Sequence, residues 1–309
     1  MNNLVSYNKS FPIEHKPSFE SLIDTFLLNK DLRESSKRAY LSSFLKFADY
    51  LKSHAIQQVT EQEIKEYKES LISRKLSVFT IISHVSAIKS LFSFLAVRNL
   101  YPDIARDIKV PKKPRGFSRD PLTKEQAKGL IKSAMGDDIA AKRDYAIINT
   151  LLRCGLRSIE IIRADIGDIR QSSGTTVLWV HGKGRDSKDE FVVLTPEALD
   201  AINNYLVLRG NINLDEPLFV SHSPRNKNGR LTTRSIRRII KQHLSECGIN
   251  NKRLTCHSLR HTFATLALAN HAPLLAVQQA MRHSNINTTT IYTHMIDRLE
   301  NGAEKFIDL

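Results

Sequence analysis

Between positions 110 and 119 the chain reads Val-Pro-Lys-Lys-Pro-Arg-Gly-Phe-Ser-Arg, and no regular helix can be carried through it. Each proline lacks an amide donor and crowds the preceding turn. With one glycine, four basic residues and no acid, the stretch reads as an extended linker suited to lying along phosphates. Whatever flanks it must pack a core of its own, and 309 residues are enough for two. The division expected is a domain over 15–108, a basic linker over 109–120 and a second domain over 121–309.

The first domain reads as helices alone. From Ser35 to Ser53, Tyr40, Phe44, Phe47, Ala48 and Leu51 follow the helical period, leaving Lys37, Arg38 and Lys46 on other faces. Thr60-Glu-Gln-Glu63 is a capping box opening the next helix. Val78, Ile81, Ile82, Val85, Ile88, Phe92 and Leu95 then mark one face of a long helix. Thr80, Ser83, His84 and Ala87 fall opposite, small and polar enough to approach a groove.

Beyond the linker, Thr123 and Gln126 form a second capping box, and a helix around Arg143–Arg153 stops at Gly155. The period then changes. Thr175–Val180 and Phe191–Leu194 are β-rich runs around a polar stretch, so Lys183 is expected at a hairpin tip. Helices resume at Thr195-Pro196. The fold class expected is mainly α in two domains, the second α+β with a small antiparallel sheet.

A net charge of +14 calls for a polyanionic partner, either nucleic acid or an acidic membrane surface. Met1–Ser10 have neither the charged start nor the apolar core expected of a signal peptide, and no apolar run comes near the roughly 20 residues of a membrane span. That favours nucleic acid. Three cysteines (Cys154, Cys247 and Cys256) without CxxC spacing suit reduced thiols in a cytoplasmic protein. Seven basic residues and no acid lie from Arg225 to Lys241. Ile236, Ile239 and Ile240 give that segment a buried stripe, turning Arg234, Arg237, Arg238 and Lys241 partly outward, with Arg230 just before them. These, together with Lys112, Lys113 and Arg115 of the linker and Lys37 and Arg38 of the first domain, are the expected DNA contacts.

Six ionisable residues suit chemistry on one phosphodiester. They are Arg157 in Cys-Gly-Leu-Arg157, Lys183 in His-Gly-Lys183-Gly, His257 and Arg260 in His257-Ser-Leu-Arg260-His, His283 in Arg-His283-Ser-Asn, and Tyr292 in Ile-Tyr292-Thr-His. Guanidinium forks match phosphoryl oxygens, lysine can protonate a leaving alkoxide, and tyrosine can attack phosphorus. His257 and His261 have zinc-pair spacing, but Ser258 stands where a zinc protease carries glutamate; Gly182-Lys-Gly lacks the remainder of a P-loop. Neither metal nor nucleotide cofactor is implied.

In order and spacing this set resembles the tyrosine recombinase/integrase family, most closely its compact Xer-like members. The resemblance implies a SAM-like helical DNA-binding domain ahead of the catalytic one, and a double-stranded recombination site as partner. It also implies four protomers on two duplexes, as a homotetramer or with a second recombinase. Tyr292, nine positions after His283, becomes the nucleophile that forms a 3′-phosphotyrosine. Arg157 and Arg260 bind the non-bridging oxygens, Lys183 is the general acid, and Glu160 orients a neighbour. His257 and His283 both contact phosphate, and either could take the tyrosine proton. Arg185 or Lys188 could replace Lys183, because the stretch from Gly182 to Leu194 is long for the family. Arg282 stands where relatives have glycine, Cys154 where threonine is common, and Arg157-Ser-Ile-Glu160 moves a small polar residue by one. A non-cleaving DNA-binding protein and a type IB-like topoisomerase are the alternatives. The apolar end, Phe306-Ile-Asp-Leu309, could dock on a neighbouring protomer or fold back on its own domain.

Overall fold

A computed structural model describes residues 18–113, 119–182, 187–210 and 213–307. The chain divides into two compact units, Met1–Arg115 and Gly116–Leu309.

In the first unit four helices follow one another: α1 (Phe19–Asn29), α2 (Glu34–Ser53), α3 (Glu61–Ser73) and α4 (Val78–Val97). Their starts are chemically marked. Ser18 and Ser77 accept from the Ser21 and Thr80 amides, and Glu63 accepts from the Thr60 amide at 2.7 Å. Phe26 packs edge-on to Phe44 (5.2 Å between ring centres) and Phe94 (5.1 Å), an arrangement aromatic quadrupoles favour.

The long helix departs from the single apolar face expected of it. His84 and Ala87, placed on the groove-facing side by periodicity, are both buried at 4% exposure. The other three helices surround α4 so fully that it becomes the unit's central helix, apolar on most sides. Thr80 is half-buried with its hydroxyl paired to Ser77, and Ser83 is exposed. By length and composition α4 is also apolar enough to cross a bilayer, contrary to the sequence reading. It serves instead as a core helix. At the end of the unit Lys89 donates to the carbonyls of Ala105 (2.8 Å), Arg106 (2.5 Å) and Ile108 (2.8 Å), binding this last turn to α4.

The second unit begins with α5 (Lys124–Ser133), capped reciprocally by Thr123 and Gln126, and α6 (Ile139–Cys154), capped by Asp138. Gly155 ends α6 at φ +61°, and a Cβ there would meet the Phe263 ring at 2.5 Å, so both backbone and space call for glycine. The short α7 (Ser158–Arg163) follows. Three strands, β1 (Ile169–Ser172), β2 (Thr175–Val180) and β3 (Glu190–Val193), form an antiparallel sheet in that order. Ile169 lies opposite Leu178, and Leu178 opposite Val192. The first strand escaped the sequence reading because Ile-Arg-Gln-Ser has one apolar residue and no alternation.

Helix α8 (Pro196–Arg209) starts at Thr195 with proline in its first turn, and packs with α6 at the centre of the unit. Around this core lie α9 (Thr233–Glu246), α10 (Cys256–Ala269), α11 (Leu274–Ala280) and α12 (Asn287–Glu300). A smaller apolar cluster of Ala264, Val277, Met281 and Tyr292 joins these last three helices. The three cysteines are free.

Candidate active site

Arg157 lies two residues beyond Gly155, whose left-handed turn ends α6, and caps α7. Its amide and guanidinium both donate to Glu160, each at 2.7 Å, while Nη2 reaches the carbonyls of Met281 (3.3 Å) and Arg282 (3.1 Å). Arg260, on α10, is 1% exposed. It donates to the Gly155 carbonyl at 2.5 Å and to the Met281 carbonyl. Two guanidinium groups 103 positions apart in the chain therefore meet at one carbonyl oxygen, that of Met281. Burial, then Arg157 and Arg282, bring Arg260 down to about 9, leaving it charged at neutral pH.

Glu160 is 3% exposed, and burial alone would raise its carboxyl. Arg282, the Arg157 amide and guanidinium, and Arg260 together hold it below its ordinary value. Arg282 also has the φ of +51° that a glycine would adopt easily, and its guanidinium donates to Glu160 at 2.5 Å. With its side chain 4% exposed, it is neither a distortion of the turn nor a contact offered to solvent-borne phosphate. The turn keeps its left-handed shape, and the long side chain fills the interior beside a carboxylate.

The histidines separate into two groups. His283, in the α11–α12 loop, pairs through Nδ1 with Thr289 at 2.9 Å. Burial, then Arg260, Arg157, Arg282 and His257, push it down to about 4. His257 keeps an exposed edge on α10, yet the protein packed around it, then Arg260, Arg157 and Arg119, lowers it too. Its ring meets that of His261 edge-to-face, with centres 4.6 Å apart. His261, and not His257 or His283, touches the tyrosine: its Nδ1 lies 2.5 Å from the Tyr292 hydroxyl. Tyr292 is 2% exposed, and burial pushes its phenol up to about 12 against the pull of Arg260. The spacing of His257 and His261, one turn apart, puts both on one helix face, a pattern shared by zinc pairs and by a histidine turned to a neighbouring helix.

Lys183 and Arg185 lie outside the described residues, as does Arg115 of the linker. Lys188, a competing general acid in the sequence reading, is committed elsewhere. It binds Asp165 at 2.6 Å and Asp168 at 2.5 Å, and although burial opposes its charge these carboxylates raise its ammonium. A lysine held so firmly in its protonated form is a poor proton donor.

Of the expected phosphate contacts, Lys112, Lys113, Arg38, Arg234, Arg237 and Arg238 are exposed, and Lys37 is half-exposed beside Glu34 (3.5 Å). On α9 the arginines face away from buried Ile236, Ile239 and Ile240. Arg230 differs: it donates to the Ile162 and Ala164 carbonyls (2.8 and 3.3 Å) and to Asp165 (2.5 Å), so its guanidinium ties a loop to the end of α7. His84, buried in the first unit, presents no surface to DNA.

Residues 121–298 match the model of the phage integrase family, and residues 19–99 that of the phage integrase N-terminal SAM-like domain. The chain is 30% identical to a tyrosine recombinase XerC of Halalkalibacterium halodurans, over 94% of this chain and 91% of that one. It is 29% identical to a tyrosine recombinase XerD of Yersinia pestis, over 91% and 94%. Among solved structures, a XerH site-specific recombinase in a post-cleavage complex with a palindromic difH substrate superposes with a TM-score of 0.73. That likeness covers 93% of this chain and 84% of that one at 23% identity, and shows the fold. With the catalytic-domain model matching more than half its length and relatives aligned nearly end to end, the chain belongs to the phage integrase family.

Proposed function

We propose that this chain is a site-specific DNA recombinase that cuts and rejoins DNA through a 3′-phosphotyrosine, without metal or nucleotide. The observation that carries this reading is the meeting of Arg157 and Arg260 at the Met281 carbonyl, with Tyr292 near enough for Arg260 to lower its phenol. A phosphodiester entering this site finds two guanidinium donors already held in place, where charge concentrates as phosphorus becomes five-coordinate. His257 and His283 add donors beside it. Tyr292 attacks phosphorus, Lys183 protonates the departing 5′ oxygen, and the phosphate energy is kept in the protein–DNA bond until another strand's 5′ hydroxyl reverses the step.

In this reading residues 15–108, the basic linker 109–120 and residues 121–309 each contact DNA, with the outward arginines of α9 on phosphates. Four protomers join two sites through a Holliday junction, either as identical copies or with a second recombinase. The enzyme acts in the cytoplasm, where its DNA is. Phe306 and Ile307, 80% and 65% exposed, supply an apolar tail for a neighbouring protomer. Its removal should reduce cooperative assembly and cleavage more than binding to one site.

The test is covalent trapping on sheared host DNA in EDTA, with Tyr292→Phe alongside. Denaturant-resistant adducts on 3′ phosphates, lost in the Phe variant, are expected, and sequencing their ends yields the site. Tight binding without adducts would replace this reading with a non-cleaving DNA-binding protein. Adducts at arbitrary sequences without synapsis would replace it with a topoisomerase.

A further inference from the structure

We infer that His261 is the group that receives the Tyr292 proton, a catalytic role resting on the recombinase reading and assigned through the direct contact between its Nδ1 and the tyrosine hydroxyl. The geometry comes first. His261 lies on α10, one residue after Arg260, and its Nδ1 approaches the Tyr292 hydroxyl of α12 to 2.5 Å. Neither His257 nor His283 has this contact. His283 is turned to Thr289, and His257 packs its ring against that of His261.

The electrostatics agree with the direction of transfer. Burial, then His257, Arg260 and His283, push the His261 imidazole down to about 4, so it is neutral at physiological pH. Burial holds the Tyr292 phenol up at about 12. In the DNA-free protein the shared proton therefore sits on tyrosine, with the Nδ1 lone pair accepting it and the other ring nitrogen carrying the imidazole hydrogen. Among the described residues, the groups facing His261 include His257 and Arg260 from its own helix, His283 from the α11–α12 loop and Tyr292 from α12. Three of these are basic and one is the phenol. An imidazolium among them is costly until an anion arrives.

A phosphodiester is such an anion. Its negative charge beside Arg260 offsets the basic cluster and raises the affinity of His261 for a proton, so the base gains strength when substrate is bound. In the step itself the Tyr292 O–H bond breaks and its proton goes to His261 Nδ1. The phenolate oxygen forms the bond to phosphorus, and the bond from phosphorus to the 5′ oxygen breaks. The general acid assigned above protonates that oxygen. On religation the tyrosine oxygen leaves phosphorus and recovers its proton from His261.

The experiment has two arms. In the full-length free protein with 15N-labelled histidine, His261 should show an unprotonated Nδ1 and a protonated Nε2 at pH 7, and Tyr292→Phe should shift its resonances. A protonated Nδ1, or a spectrum indifferent to Tyr292→Phe, overturns the proposal even if no DNA is ever cut. The second arm uses duplexes carrying the trapped site. His261→Asn keeps an acceptor near the Nδ1 position but no base. It should bind DNA as tightly as the parent while forming adduct about 100- to 1,000-fold more slowly. It should also lose the fall in rate toward acid pH that protonation of His261 imposes. A 5′-bridging sulfur leaving group, which needs no general acid, should leave the Asn variant slow. Parental rates in His261→Asn, or full rescue by sulfur, would sink the assignment. Absence of adduct from the unaltered protein would instead count against the recombinase reading, with the first arm still deciding the His261 contact.

Discussion

Glu160 stands between two arginines, and each of them has a second partner in the carbonyls of residues 280–282. Arg282→Gly would keep the left-handed turn and relieve about 1 kcal/mol of backbone strain. It would also leave a buried carboxylate with one guanidinium fewer, a loss of about 3 kcal/mol. A net destabilisation of about 2 kcal/mol is expected, read as a lower urea midpoint at unchanged slope. The histidines predict a pH dependence. Both His261 and His283 fall from 6.5 in the unfolded chain to about 4 in the folded one. Between these values the unfolded chain binds more protons, so stability must decrease as pH drops from 6.5 toward 4. With partial exposure discounted, the loss is about 2 kcal/mol per histidine. Urea titrations at pH 7 and pH 4.5 should show it, and His261→Asn should shrink it; a flat profile would contradict the burial of these rings. Glu160, whose folded value is lowered, adds a loss confined to still more acidic pH.

At the scale of elements, the local signals worked where the chemistry is local. Thr60–Glu63, Thr123–Gln126, Gly155 and Thr195-Pro196 each act on hydrogen bonds within a turn of themselves, so helix limits could be read directly. Thr60→Ala should accordingly cost about 1 kcal/mol and no more. Gly155→Ala is different. It forces a side chain into φ +61° and against Phe263, and displaces the turn carrying Arg157, so a loss of at least 2 kcal/mol is expected with a larger fall in adduct formation. Comparable stability in both variants would show that the close approach of Phe263 is not limiting. What failed was the face assignment on α4. Periodicity reports which positions are apolar, but His84 and Ala87 are buried because three neighbours surround the helix, and no window of sequence counts neighbours. Strand β1 failed for the opposite reason: pairing with β2 supplies its order, and its own four residues have little preference.

For the molecule as a whole, a charge of +14 and the exposed arginines of α9 make DNA affinity a salt-dependent quantity. Replacing Arg234, Arg237 and Arg238 by alanine should lower binding and reduce the slope of log affinity against log salt by about 0.9 per lost phosphate contact. Arg230→Ala should instead reduce stability and leave the slope alone, because that guanidinium is spent on Asp165 and two carbonyls. An unchanged slope in the triple variant would remove α9 from the interface. The division near the linker and the helical character of the first unit were legible in the chain, and so was the order of Arg157, Lys183, His257, Arg260, His283 and Tyr292 on which the proposed chemistry rests, because covalent order and side-chain type carry them directly. Three assignments came only with folding: Arg282 on Glu160, Lys188 on two aspartates, and His261 on Tyr292. Each joins residues 20 to 122 positions apart. Such a contact depends on where helices and turns come to rest against one another, and one-dimensional spacing contains no measure of that.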